Sequence, residues 1–273
     1  MSMLMMKVRE ALNDIKKTVS HGLRNLLHSR EMRNKMKVIR CKDKAEVGKA
    51  ACAYTLNAMM KPDAHIAITG GSTPKEMYEC LVPLVCDNPV FKHVHYYNFD
   101  EIPQRGESEG LTMKALRTLF FTPAKIDEKQ IHQLNEKNYT ECEAELEKIG
   151  YLDYVVLGLG KDGHFCGNLP HTCTFNDDTQ AVSCNLNPVL YNRIKFLSGD
   201  DEDKMPEFYV TMGPKTIMRC KQVVMIVSGK EKANIVKRAL WGEITPECPS
   251  SIFQLHPNFV LILDEAAVSE LTL

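Results

Sequence analysis

Asp162 and His164 stand two residues apart in a glycine-rich stretch, Gly158-Leu159-Gly160-Lys161-Asp162-Gly163-His164, that follows the apolar run Tyr154 to Leu157. A carboxylate beside an imidazole can orient the ring, favour its charged form and move protons near neutral pH. A pair delivered from the C-terminal end of a buried strand faces the crevice of an open α/β sheet. Thr69-Gly70-Gly71-Ser72-Thr73-Pro74 has a different chemistry. Its glycines free backbone amides to face an anion, Ser72 and Thr73 add hydroxyl donors, and a helix starting at Pro74 contributes its positive end. This is the outline of a phosphate cradle, although a tight turn capped by Thr73 would look similar. A third stretch, Asn98-Phe99-Asp100-Glu101, puts two adjacent carboxylates at the end of another apolar run. They suit a proton-transfer base and a structural partner, one of them facing the crevice.

Other readings of the same residues are weaker. Gly158, Gly160 and Gly163 formally match the G-x-G-x-x-G dinucleotide fingerprint, but that motif needs a helix opening inside it. Here His164 to Pro170 includes Gly167 and Pro170 and has no helical period. His164, Cys166, His171 and Cys173 are zinc-ligand types, yet their separations differ from the usual zinc patterns, and buried thiols are the simpler reading. Lys75 lacks the spacing of a Walker lysine. Lys232, just after Ser228-Gly229, and Arg193 and Lys195, in a segment read as irregular, are cations that could hold phosphate charge.

The elements that must position these residues follow from periodicity. Strands are expected at Lys37–Arg40, His65–Thr69, Val94–Asn98, Tyr154–Leu157, Ala181–Cys184, Phe208–Met212, Val223–Val227 and Phe259–Leu263. Helices are expected at Lys44–Met60, Lys75–Val85, Thr112–Phe121, Tyr139–Ile149 and Lys230–Leu240, with a short one at the end. Asp100 to Glu109 reads as a polar loop. The alternation predicts an α/β fold with a mostly parallel sheet covered on both faces. Residues 1–36 stand apart. Leu4, Val8, Leu12, Ile15, Val19, Leu23 and Leu26 recur at helical spacing among basic residues, an amphipathic extension suited to packing or oligomer contacts and less well to a membrane surface.

Composition narrows the field. The 273 residues carry a net charge of −1, which gives no reason to expect nucleic acid as a partner. Ten cysteines occur without CxxC pairs, and no apolar run is long enough to span a bilayer, so free thiols in the cytoplasm are the simplest expectation.

Taken together and in order, TGGSTP, NFDE, GLGKDGH and the C-terminal SIFQLHP make residues 37 to 272 resemble the glucosamine-6-phosphate deaminases and the related 6-phosphogluconolactonases. The resemblance implies a modified Rossmann-like sheet, a small sugar phosphate as substrate, no metal or nicotinamide cofactor, and a homo-oligomer. Phe91-Lys92-His93-Val94 before NFDE, and QLHP near the end, are similar to the deaminase branch. On that resemblance Asp100 is the base that moves a proton between C1 and C2 of the opened sugar. Asp162 and His164 open the pyranose ring, and Gly70, Gly71, Ser72, Thr73, Lys232 and Arg193 hold phosphate.

One position departs from the pattern. The family deaminases read GH-x-x-F-N-E-P, whereas this chain has Gly163-His164-Phe165-Cys166-Gly167-Asn168-Leu169-Pro170. Leu169 occupies the place of a relay glutamate, as an apolar residue does in the lactonases, and it cannot transfer a proton. The departure leaves open a lactonase, an enzyme with changed substrate or isomerase-only activity, and a non-catalytic sugar-phosphate sensor.

Overall fold

A computed structural model describes residues 36–271. The expected N-terminal helix lies outside the described residues except for Met36, which packs against the core. Seven strands form one parallel sheet: β1 (Lys37–Cys41), β2 (His65–Ala67), β3 (His95–Tyr97), β5 (Ile131–His132), β6 (Tyr154–Gly158), β9 (Val223–Val227) and β10 (Phe259–Asp264). Their spatial order is β1-β10-β9-β6-β2-β3-β5. A second, antiparallel sheet joins β4 (Asp100–Glu101), β8 (Phe208–Thr211) and β7 (Gln180–Ser183) in the order β4-β8-β7.

The continuous apolar runs of β6, β9 and β10 follow from burial on both faces. Val155, Leu157, Val223, Met225, Val227, Phe259, Leu261 and Leu263 belong to one core. The alternating residues Tyr154, Val156, Val224, Ile226, Val260 and Ile262 belong to the other. Helices α1 (Lys44–Met59), α2 (Lys75–Val85) and α3 (Leu111–Leu116) cover the second face through Val47, Ala51, Met77, Leu81, Met113 and Leu116. Helices α4 (Cys142–Lys148), α6 (Pro214–Met218), α7 (Ala233–Trp241) and α8 (Glu265–Val268) cover the first, through Leu146, Ile217, Val236, Leu240 and Ala267.

Three differences from the sequence expectation bear on the site. Asp100 and Glu101 do not begin a loop: they form β4, pairing antiparallel with Thr211 and Val210. The expected helix Thr112–Phe121 ends early and passes into a π-helical turn at Arg117–Phe121. Arg193 and Lys195 do not sit in irregular chain. They lie on α5 (Pro188–Leu197), where Asn187 accepts a hydrogen bond from the Leu190 N–H and Pro188 presets the first turn. Leu190 and Ile194 of that helix are buried against Val182, Cys184, Met205 and Tyr209 in a small apolar cluster of their own.

Among the described residues no helix is long and apolar enough to cross a membrane.

Candidate active site

The loops after β2, β3, β6 and β9 leave the C-terminal ends of four neighbouring strands, and they meet at one open cavity of about 660 Å3. That volume suits a small ligand. Thr69, Gly70, Gly71 and Thr73 line it from the β2 loop, Asp100 from β4, Asp162 and His164 from the β6 loop, Lys232 from the β9 loop, and Arg193 from α5. Of the residues to which the family resemblance gives a catalytic or phosphate role, all but Ser72 are therefore gathered here, whereas Lys195 pairs with Glu202 away from the cavity. Ser72 is exposed and lines an adjoining cavity of about 480 Å3, which shares Thr73, Leu159, Lys161 and Lys232 with the first.

The Asp162–His164 pair is tightly built. The Nδ1 of His164 is hydrogen-bonded to Asp162 Oδ1, which also accepts from the His164 backbone N–H at 3.1 Å. Arg193 closes the other side: its Nη2 lies 3.2 Å from His164 Nε2 and its Nη1 3.6 Å from Asp162 Oδ2. With Nδ1–H donating to the carboxylate, Nε2 is the acceptor for the guanidinium, and its lone pair points into the cavity. Burial opposes the charge on Asp162, but the His164 bonds and the Arg193 charge outweigh it and hold the carboxyl below its ordinary range. The ring can take this position because residue 160 is glycine. A Cβ there would sit 1.8 Å from His164 Nδ1.

Across the cavity, burial pushes the Asp100 carboxyl up to about 6, against the opposing effects of a hydrogen bond from Thr112 and the Arg193 charge. The Thr112 Oγ1–H donates to Asp100 Oδ1 at 3.0 Å. The neighbouring Glu101 is fully buried and turns away from the site. It accepts from the backbone N–H groups of Ile102, Thr112 and Met113 at 2.9, 2.8 and 3.0 Å, capping the start of α3. Burial pushes it up to about 7. The adjacent carboxylates thus divide into one group facing the cavity and one structural partner.

The loop after β2 turns at Gly71, whose φ of +83° is a conformation that glycine tolerates and most residues resist. Helix α2 begins immediately beyond, with no side-chain cap at Pro74. Lys232 donates to the Leu159 carbonyl at 2.5 Å, and burial and the nearby Lys161 lower its pKa. Arg193, expected at phosphate, is instead engaged by Asp162 and His164.

The loop after His164 contains no helix, so the three glycines do not open a dinucleotide motif. The zinc-type residues His164, Cys166, His171 and Cys173 are not gathered into one ligand group. Among the described residues the grouping of this kind is Asp63, His65 and His95, elsewhere in the fold. Leu169 lines the cavity and packs on the small apolar cluster beneath α5. Sequence reasoning gave no role to Thr112, Lys161 and Tyr209, which also line the cavity. Of these only Lys161 lies within a stretch already marked.

Comparison with known proteins agrees with this arrangement. Residues 42–261 match the family described as glucosamine-6-phosphate isomerases/6-phosphogluconolactonase. The chain belongs to this family. The glucosamine-6-phosphate deaminase of Clostridioides difficile (strain 630) is 34% identical over 245 residues, covering 86% of this chain and 97% of that protein. The deaminase of Clostridium botulinum (strain Kyoto / Type A2) is 31% identical over 234 residues, covering 82% and 94%. Among solved structures in the isomerase/lactonase family, a monomeric glucosamine-6-phosphate deaminase superposes with a TM-score of 0.75 at 26% identity, covering 86% of this chain and 99% of that one. The 6-phosphogluconolactonase from Trypanosoma cruzi superposes at 0.65 with 20% identity, covering 87% and 97%, and shares the fold. Because one solved relative is monomeric, family membership alone does not make this chain an oligomer.

Proposed function

We propose that this chain is a glucosamine-6-phosphate deaminase, converting an amino-hexose 6-phosphate and water to a ketose 6-phosphate and ammonia. The observation that carries the reading is Asp100, a carboxylate raised to about 6 on the same cavity as the Asp162–His164 pair. A lactone hydrolase has no need of a base at a carbon acid, whereas an aldose–ketose proton transfer does. A carboxylate with that pKa is a stronger base than an ordinary one and is still mostly ionised at neutral pH. The deaminase relatives at 34% and 31% identity support the same substrate class.

The chemistry runs as follows. The Gly70–Thr73 loop, the start of α2 and Lys232 hold the phosphate, and Arg193, which lines the same cavity, shifts toward it. Freed of Arg193, His164 Nε2 moves the proton between the anomeric hydroxyl and the ring oxygen, opening the pyranose to the aldehyde. Asp162 keeps Nδ1 protonated and stabilises the imidazolium that forms. Asp100 removes the proton from C2 and returns it to C1 while the C1 oxygen takes a proton from the ammonium group, which leaves a C1 hydroxyl and a C2 iminium. Water adds to that carbon, and the C2–N bond breaks to release ammonia.

A second reading has one specific observation in its favour. Leu169, packed among apolar side chains, stands where the family deaminases carry a glutamate, as in the lactonases. In that reading His164 activates water on a 6-phosphosugar lactone. Offering glucosamine 6-phosphate and 6-phosphogluconolactone to purified protein, with products followed by NMR, separates the two. Deamination predicts fructose 6-phosphate and ammonia, lost in both Asp100→Asn and His164→Ala. Lactone hydrolysis that survives Asp100→Asn and disappears in His164→Ala selects the lactonase. Binding without turnover of either substrate selects a sensor and defeats both.

A further inference from the structure

We propose that Asp63, His65 and His95 form a binding site for a divalent transition-metal ion of the zinc class, remote from the catalytic cavity, with Tyr97 and His132 as outer partners. The site is built by strand register. His65 opens β2 and His95 opens β3, and the two are direct partners in the sheet. Their rings stack at 4.7 Å with 12° between planes. Tyr97 and His132 are partners in the next pair, and His132 stacks on Tyr97 at 4.7 Å. None of these residues lines the cavity.

The hydrogen bonds select which ring nitrogens are free. His65 Nδ1 is 2.9 Å from the Tyr97 hydroxyl, and His95 Nδ1 is 2.8 Å from His132 Nε2. Metal-bound histidines make such outer contacts through the nitrogen that does not touch the ion, fixing the tautomer. The opposite nitrogens both face Asp63: His95 Nε2 lies 3.2 Å from Oδ1, and His65 Nε2 3.6 Å from Oδ2. When the Tyr97 hydroxyl and His132 Nε2 accept from the two Nδ1 atoms, two lone pairs and a carboxylate converge on one space, which a metal ion can fill in place of protons on the Nε2 atoms. In a tetrahedral zinc site with bonds near 2.05 Å, ligand atoms stand roughly 3.3 Å apart. The observed spacings to Asp63 bracket that value.

The chemistry of the donors defines the ion. Two imidazoles and one carboxylate suit zinc, cobalt, nickel or copper, and are poor ligands for calcium or magnesium, which take oxygen. Asp63 is 77% exposed at its side chain, so the ion reaches the site from solvent and keeps water at a fourth position. The stacked rings must tilt for both lone pairs to meet one ion. His95, with 29% of its side chain exposed, has the freedom to do so, whereas His65 at 10% is fixed.

The test uses the full chain, reduced and stripped of metal. Zinc is added in a calorimeter, and cobalt in a spectrophotometer. One equivalent of zinc and a tetrahedral cobalt spectrum are expected. Both should disappear in Asp63→Ala, with its melting temperature checked because residue 63 sits at a φ of +50°, and in His95→Gln. His132→Phe, which removes only an outer partner, should weaken binding about 10- to 100-fold. Deamination by metal-free Asp63→Ala should match that of the unaltered protein. Undiminished binding in both ligand variants, a thiolate-to-cobalt charge-transfer band placing the ion on cysteine, or no binding at millimolar metal would each overturn the proposal.

Discussion

Replacing Asp100 by asparagine should make the protein more stable and less active, and the pH dependence of the gain follows from the structure. Burial raises the Asp100 carboxyl from an ordinary 3.8 to about 6. The native state therefore holds this proton more tightly than the unfolded chain, and ionising the group costs native stability. Below the unfolded value both states are protonated and nothing is lost. The penalty grows as pH rises from about 4 to 6 and is constant above. A difference of this size corresponds to about 3 kcal/mol at neutral pH, with about a third of it already present at pH 4.5. Asp100 retains partial exposure, so solvent screening reduces the neutral-pH figure to about 1–2 kcal/mol. For a chain of this length that is a rise in Tm of roughly 2–8 °C. Asparagine keeps the shape and can still accept from the Thr112 hydroxyl at 3.0 Å. Its amide cannot take a proton from carbon, and loss of the base should lower kcat on the order of 100- to 10,000-fold. Thermal melts at pH 7.5 and 4.5, with ammonia release measured on the same samples, check both halves. A variant no more stable than the unaltered protein at pH 7.5, or one retaining a tenth of its activity, would refute the reasoning.

Gly160→Ala should cost activity without touching any ligand. The new Cβ would lie 1.8 Å from His164 Nδ1, so the imidazole must leave Asp162, and kcat should fall by at least about 100-fold with little change in KM. Asp162→Asn should be less stable than the unaltered protein at pH 7. The carboxyl is depressed in the folded state, so its contribution is full above the ordinary value of 3.8 and is lost only as pH falls on toward the depressed folded value; the gap between the two proteins in melts at pH 7 should therefore still be largely open at pH 3.5. Leu169→Glu should destabilise by about 1–3 kcal/mol, since it inserts a carboxylate among the apolar residues beneath α5. If a carboxylate at 169 completes the ring-opening relay, the same variant should release ammonia on the order of tenfold faster per folded molecule, and unchanged turnover would show that this chain does not use the position.

The sheet was legible because its central strands are buried on both faces. Val223–Val227 reads as a strand of the observed length, and β6 and β10 extend only one residue past expectation. What could not be read depends on contacts distant in sequence. Strand β4 is two residues long and exists through its pairing with Thr211 and Val210, more than a hundred positions away. Strand β5 is likewise two residues, defined by its partner Tyr96–Tyr97. Helix α5 did carry a local signal, Asn187-Pro188 followed by Leu190 and Ile194, but the exposed Val189 and Phe196 blur its apolar face. The Asp–His pair, the glycine turn after β2 and the opposite facing of Asp100 and Glu101 were legible because each is a local arrangement at a strand end. Arg193 was read as a cation for phosphate in an irregular segment, whereas it lies on α5, which aims its guanidinium at Asp162 and His164.

That helix links the two departures of the site. Leu190 and Ile194 of α5 pack in the cluster that Leu169 joins, while Arg193, one residue before Ile194, reaches His164 Nε2 at 3.2 Å. A glutamate at position 169 would have offered the relay a proton acceptor. The arginine does the reverse, because its donor occupies the lone pair that must act. His164 can work as a base only after Arg193 is drawn away, and what can draw it is an anion at the Gly70–Thr73 loop and Lys232. A phosphate on the substrate would then do two things: anchor the sugar and release the base. Unphosphorylated glucosamine, lacking that anion, should leave the pair locked, and adding inorganic phosphate to the unphosphorylated sugar should restore measurable turnover if the guanidinium is what holds it.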